Sequence, residues 1–290
     1  MTRYTRGATI TATVVVAAVL LAGCVPTRDL RTVDNAPSIQ DLGEVHALAV
    51  DPQSGRLYVA AHEGIWVAER SQSEWQPPER IADQDLIALA VGDDGTMMAT
   101  ADSDAESALL TSEDGGATWA PIDGELIDAD LLRIGDGRVY AYDDADRALM
   151  SSDDGGRSWE LRNTVDLRDF AVDRGDADRV WLLGGDGLQQ STDGGANISR
   201  VRDTPQLARI AWAGEESHEA LVALAANRGR IWTRDGDDSA WRAKGRISRS
   251  ATALAHYGGA EPYTAVVDER GVVVSEDFGY SWTALVPAPD

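Results

Sequence analysis

The sequence predicts an all-β chain, wound into a single β-propeller of about six four-stranded blades. Three observations predict it. An eight-residue pattern, Ser-x-Asp-x-Gly-x-(Ser/Thr)-Trp, occurs in full at residues 112–119, 152–159 and 275–282. Degenerate copies fill the intervals, so the terminal positions 75, 119, 159, 198, 241 and 282 are spaced by 44, 40, 39, 43 and 41 residues, the period of one four-stranded blade. Between these positions the chain runs in short alternating stretches broken by Gly, Asp and Pro, with no long helical periodicity.

The first repeat sets the order of elements. Residues 45–50 alternate and read as an inner strand, and Asp51-Pro52-Gln53-Ser54-Gly55 reads as a turn. Residues 56–61 read as the second strand, 64–68 as the third, and Trp75 opens the fourth. The second repeat follows the same plan with 86–91, a turn at 92–95, 96–100, 109–112 and Trp119. Six such units fit between residues 44 and 290. The ring closes either by residues 30–33 adding an outer strand to the last blade or by its ends simply meeting.

The recurring octapeptide predicts a hairpin between the third and fourth strands of a blade. Ser112, Ser152 and Ser275 open the three full copies. Asp114, Asp154 and Asp277 accept hydrogen bonds from turn amides that otherwise lack partners. Gly116, Gly156 and Gly279 supply backbone angles that a side chain opposes. Trp119, Trp159 and Trp282 bury a large ring between blades, each worth about 3–5 kcal/mol against alanine when the ring is buried. The weaker copies keep Asp193 and Gly195, with Ile198 in the tryptophan position, and Asp235 with Trp241. One such aspartate per blade places these acids around a ring, apart from one another, so they are structural and not a catalytic pair.

The octapeptide resembles the Asp box, or BNR repeat, of sialidases, sortilin-like receptors and related propellers. The stretches at 42–52 and 57–64 resemble actinobacterial exported Asp-box proteins of the sialidase-like or glycosyl-hydrolase-like kind. In sialidases the resemblance implies three arginines clamping the sugar carboxylate, a tyrosine–glutamate nucleophile pair and an aspartic acid. This chain has no Arg-Ile-Pro motif to carry the first arginine. Arg162, Arg228 and Arg270 with Asp104 and Tyr142 are the available residues, and their spacing does not single them out. Fold alone does not give function.

The amino terminus carries export chemistry. Arg3 and Arg6 precede an apolar run at 8–21 that ends in Leu21-Ala22-Gly23-Cys24, which resembles a bacterial lipobox. Residues 1–23 then form a lipoprotein signal peptide, and Cys24, the sole cysteine, accepts a diacylglyceryl group and palmitate. Residues 24–43, with Pro26 and Pro37, read as a tether, and 44–290 as the propeller. The expected location is the extracytoplasmic face of the cell membrane, held by lipid.

Charge narrows the partners. The formal net charge is −23 and lysine occurs once, at Lys244. That balance excludes nucleic acid, which needs a basic footprint, and docking on anionic lipid through a basic patch. No cofactor is implied, and a monomer is expected. Nucleophilic serine or cysteine catalysis has no support, because no Gly-x-Ser-x-Gly elbow occurs and Cys24 is reserved for lipid. No phosphate loop or dinucleotide fingerprint occurs either.

The face opposite the octapeptide turns gathers the second-to-third loops and the links between blades. Its candidate ligand residues are His46, His62, Asp102, Asp104, Asp143, Arg147, Arg228, Asp268 and Arg270. The links add Asp83, Asp85, Arg162, Asp166, Arg168, Asp169, Arg246 and Arg249. The plain alternative is a solvated loop face. His46 and His62 sit on adjacent strands with Glu44 and Glu63 nearby, a metal or acid–base pair without a clear third ligand, or else channel-lining structural histidines. No metal set is therefore assigned from sequence. His218 reads as exposed, and His256 as an inner-strand residue facing the channel. The function expected is a surface binding or interaction module for a protein, glycan or ion. The alternatives are a divergent sialidase-like glycoside hydrolase and an assembly or stability factor for a membrane complex.

Overall fold

The computed structural model describes residues 30–72, 74–101, 108–125, 127–214, 221–227, 229–235, 240–247 and 251–288. They form an all-β propeller of six blades, with a single short helix at Ile39–Leu42. Counting outward from the axis, blade 1 is Val45–Val50, Leu57–Ala61, Gly64–Ala68 and Glu79–Ala82. Blade 2 is Leu86–Val91, Met97–Ala101, Ala108–Ser112 and Ala120–Pro121. Blade 3 is Leu131–Gly135, Arg138–Asp143, Ala148–Ser152 and Glu160–Thr164. Blade 4 is Leu167–Val172, Val180–Gly184, Gly187–Ser191 and Ser199–Arg200. Blade 5 is Leu207–Trp212, Leu221–Ala225, Arg230–Arg234 and Arg242–Arg246. Blade 6 is Ala253–Tyr257, Tyr263–Asp268, Gly271–Ser275 and Thr283–Pro287. Neighbours within each blade are antiparallel.

Inner strands such as Leu86–Val91 are apolar on both faces because a blade is sandwiched between two others. Alternate residues therefore serve different cores. Leu48 and Val50 pack toward blade 6, whereas Ala47 and Ala49 pack toward blade 2. Six such cores separate the six blades. Each receives one residue from a terminal octapeptide position, in ring order Trp75, Trp119, Trp159, Ile198, Trp241 and Trp282. In every case the ring or side chain packs against the preceding blade.

The turns are held by one repeated set of bonds. Ser112 Oγ donates to Asp114 Oδ1 (2.8 Å) and accepts the Gly116 amide (2.9 Å). Asp114 then accepts the Thr118 amide at Oδ1 (2.9 Å) and the Thr118 hydroxyl at Oδ2 (2.6 Å). The set recurs with Ser152, Asp154 and Ser158, and with Ser275, Asp277 and Ser281. It recurs also with Ser191 and Asp193, where the Asn197 side-chain amide stands in for the hydroxyl. Gly156 and Gly279 have φ of 87° each, and a Cβ there lies 2.6 Å from Leu109 or Ile231, so both conformation and space require glycine. Asp235 pairs with Arg242, and Trp241 lies under Arg234 at 5.8 Å.

The ring closes through the amino-terminal segment. Arg31–Thr32 adds a parallel fifth strand to blade 6, paired with Thr283 and Ala284. The stretch read as a tether up to Gly43 is thus folded from Leu30 onward. The physical reason is apolar content inside it: Leu42 is fully buried, and Val33 and Ile39 pack on the blade 1–blade 6 core. Trp75 also differs from expectation. It belongs to a small hairpin, Arg70–Ser71 with Glu74–Trp75, and the fourth strand of blade 1 is Glu79–Ala82. The hairpin locks the seam: Arg70 pairs with Glu261 and Glu276 of blade 6 (3.0 Å each), and Trp75 meets Tyr263 edge-on at 4.9 Å. The segment read as a signal peptide, and Cys24 with it, lies outside the described residues. Among the described residues no helix is long and apolar enough to cross a membrane.

Two outcomes follow. Trp282 is 9% exposed and its Nε1 donates to the Arg246 carbonyl (2.7 Å). Trp282→Ala is expected to cost about 3–5 kcal/mol in denaturant unfolding, more than the same change at half-buried Trp119. Hydrogen bonds from Thr118 hold Asp114 down to about 2, and those from Asn197 hold Asp193 there too. An aspartate held below its unfolded value stabilises the fold at neutral pH and ceases to do so as pH falls through the folded value. The thermal midpoint is expected to fall between about pH 4 and pH 2, and less steeply in Asp114→Asn. A flat midpoint over that range contradicts the assignment.

Candidate functional site

Every inner strand has one edge with no strand beside it, turned to the axis. Arginines meet the carbonyls there. Arg133 Nε donates to Phe170 O (3.1 Å), Arg168 Nη1 to Leu207 O (3.2 Å) and Arg209 Nε to Thr252 O (3.0 Å), each reaching from one blade to the next. Arg174 spans further, from blade 4 to Val91 O (3.2 Å) and Asp93 Oδ1 (2.9 Å) of blade 2. Asp169, 2% exposed, accepts Arg133 Nη2 (2.8 Å), its neighbour Phe170 N (2.9 Å) and Ile210 N (3.0 Å), so one carboxylate joins blades 3, 4 and 5. Arg168 and Asp169, expected in a ligand bowl, are thus braces between blades.

On the loop face, four inner strands carry a bulge near their start, with His46, Ile87, Arg168 and Ala208 skipped in the register. A bulge bends the strand and re-aims a side chain. In blade 1 that residue is His46. His62 follows the second strand and is fixed by its amide, which donates to Glu44 O (2.8 Å). Asp85 stands one residue before the inner strand of blade 2. Asp85 Oδ2 lies 3.0 Å from His62 Nδ1, and Oδ1 lies 3.6 Å from His46 Nε2. One donor atom from each of the three residues falls within 4.8 Å of the others. The acid that meets both rings is therefore Asp85, not Glu44 or Glu63. Sequence placed Asp85 in a blade link, but its approach to His62 depends on the junction of two blades.

The other candidate residues are spread over separate blades and engaged locally, and Arg162, expected on the loop face, is instead held by the octapeptide turn of blade 4. Asp143 Oδ1 accepts the Asp146 amide (3.0 Å) in a turn where Arg147 has φ of 53°. Asp268 is paired by Arg270 through Nε (3.0 Å) and Nη2 (2.6 Å), and the same guanidinium lies 5.0 Å over the Trp282 ring. Arg162 is held by Gly194 O (3.0 Å) and Asp193 O (2.6 Å) on blade 4. Tyr142 is buried, its hydroxyl donating to Val165 O (3.1 Å) and accepting Leu167 N (3.0 Å). Arg162, Arg270 and Tyr142 are thus not brought together. Asp102, Asp104, His218 and Arg228 lie outside the described residues.

The opposite rim holds a cavity of about 520 Å³ over the axis, bordered by Asp93, Arg174, Trp212, His256 and Tyr257 and a glycine shelf. His256 Nδ1 is 3.0 Å from Thr264 Oγ1, its ring stacks on Phe278 at 5.8 Å, and burial lowers its pKa to about 3. The ring is neutral at physiological pH. Trp212 Nε1 and His256 Nε2 are buried without a hydrogen-bond partner among the described residues. The sequence reading placed the ligand face on the other rim and missed this cavity. Its signal was two glycine-bearing turns, at Gly214 and at Gly258-Gly259, following inner strands that carry Trp212 and His256.

No protein-family model and no curated protein matches the sequence. Solved structures do. A structure titled YCF48 bound to D1 peptide is 14% identical with TM-score 0.52, over 88% of this chain and 86% of that one. A nidogen/laminin complex chain is 12% identical with TM-score 0.61, over 81% and 99%. A GH74 xyloglucanase from Xanthomonas campestris is 16% identical with TM-score 0.55, over 83% of this chain but 45% of the enzyme. At these identities the likeness shows the fold alone: the chain is a six-bladed β-propeller.

Asp169→Ala is expected to cost about 3 kcal/mol in denaturant unfolding, because it removes the carboxylate that pairs with Arg133 and leaves the Ile210 amide without its acceptor. Asp169→Asn is expected to recover part of that loss. Equal stability of wild type and Asp169→Ala contradicts a bracing role.

Proposed function

We propose that the chain is a lipid-anchored, extracytoplasmic binding propeller that engages a protein or peptide through its loop face without cleaving it. One observation carries this over hydrolysis: the described candidates for a glycosidase site, Arg162, Arg270 and Tyr142, are dispersed among blades and consumed by structural bonds. Arg270 serves Asp268 and Trp282, Arg162 serves blade 4, and Tyr142 is buried at a seam. A sialidase-type site needs such groups converging on one sugar ring. The solved propellers titled as bound to a peptide and as a nidogen/laminin complex support a peptide or protein ligand. The octapeptide's resemblance to the Asp box supports a scaffold that repeats its turns for stability and leaves recognition to the opposite rim. The lipobox at Leu21–Cys24 supports anchoring outside the membrane.

Purified full-length protein is expected to release no fluorophore from sialoside or β-glucoside substrates above a protein-free blank. Turnover that vanishes in Arg270→Ala overturns the reading. Cys24→Ser is expected to move the protein from the membrane pellet to the soluble extracytoplasmic fraction, and retention in the pellet contradicts the anchor.

A further inference from the structure

We propose that His46, His62 and Asp85 form a divalent transition-metal site, suited first to Zn²⁺, at the loop-face junction of blades 1 and 2. Three separate elements supply the donors: a strand bulge, the end of a second strand and an interblade link. A neutral imidazole nitrogen and a carboxylate oxygen are ordinary Zn²⁺ ligands, and two histidines with one carboxylate is an established catalytic-type donor set.

Two features of the spacing point to an ion. The first is the 3.6 Å between His46 Nε2 and Asp85 Oδ1, too long for a hydrogen bond. Bonds of about 2.0–2.1 Å to one tetrahedral ion place neighbouring donors about 3.3–3.4 Å apart. The 3.6 Å separation at Oδ1 is close to that edge, while Asp85 Oδ2 lies at hydrogen-bond distance, 3.0 Å, from His62 Nδ1. The second is Asp85 Oδ1 itself. It is buried and has no hydrogen-bond partner among the described residues, although the side chain as a whole is 39% exposed. A buried carboxylate oxygen without a donor is costly, and a cation between it and His46 removes that cost.

Three protein ligands leave a fourth position. His62 is the most exposed of the three at 62%, so that position opens toward solvent on the loop face. Water or a donor atom of an incoming molecule completes the shell there. The bound ion also joins blade 1 to blade 2, which share an apolar core.

The test uses the full chain purified without an oligohistidine tag, stripped with EDTA and titrated with ZnCl₂ by calorimetry. One equivalent is expected to bind and to raise the thermal midpoint. Co²⁺ is expected to give the visible absorption of a low-coordinate nitrogen–oxygen site. His46→Ala and Asp85→Asn are each expected to weaken Zn²⁺ at least about tenfold. His46→Ala/His62→Ala is expected to lose the site while melting in EDTA as wild type does. Absence of stoichiometric binding to wild type, or unchanged binding in the double variant, overturns the proposal. Should the double variant fail to fold, Asp85→Asn decides, since it keeps the shape and removes the anionic ligand. Equal affinity for Mg²⁺ or Ca²⁺ also overturns it, because imidazole does not favour those ions.

Discussion

A propeller's innermost strands each have an unpaired edge, and that edge governs the molecule's axis. Six rows of carbonyls and amides face the space around the axis. Buried backbone groups without partners are costly, so donors must come from side chains. Here they come from arginine. Arg133, Arg168 and Arg209 each reach one blade onward, and Arg174 crosses to the blade beyond its neighbour. A guanidinium suits this task because its several N–H groups lie in a fixed plane and stay charged. The single lysine, Lys244, sits instead over the Phe278 ring at 4.7 Å. The chain's preference for arginine over lysine thus has a structural use on the axis.

The rim solves a different problem. Each blade must stop its outer hairpin and hold a bulky residue against the blade before it. The serine–aspartate turn does both in eight residues. Serine closes the turn from inside, aspartate satisfies the amide and hydroxyl four residues on, and glycine admits the neighbouring blade within contact distance. Asn197 shows that the bond matters more than the residue type, since its amide donates to Asp193 as a hydroxyl does elsewhere. Blade 1 lacks this turn. It replaces the lock with the Arg70–Trp75 hairpin and its ion pairs to Glu261 and Glu276, placed where the first and last blades meet.

Much of the fold was legible because the information is local and periodic. The spacing near forty residues gave the blade count, and the turn residues act within eight positions of one another. What was not legible is what depends on ring geometry. Trp75 sits at the expected interval yet belongs to a seam hairpin, because its partners are some two hundred residues away. Leu42 reads as part of a tether until the ring closes over it. Arg168 and Asp169 read as loop-face polar residues, and their bonds to blades 5 and 3 cannot be inferred from spacing within one repeat.

The candidate sites follow the same division. His46 and His62 were visible as neighbours because they lie on adjacent strands of one blade. Asp85 was visible only as a link residue, because its approach to them crosses a blade boundary. Trp212 and His256 likewise come from two different blades and meet at one cavity. In a ring of near-identical sheets, any asymmetric chemistry has to arise at the junctions, since the interior of each blade repeats the same packing. The junction of blades 1 and 2 departs from the repeat at the bulge, which a histidine occupies; the acid one residue before the inner strand, Asp85 here, recurs as Glu44, Asp130 and Asp166. Blade 2 has isoleucine at its bulge, and blade 5 has alanine. That local departure from a repeated plan, not the overall acidity of the chain, is what distinguishes this junction.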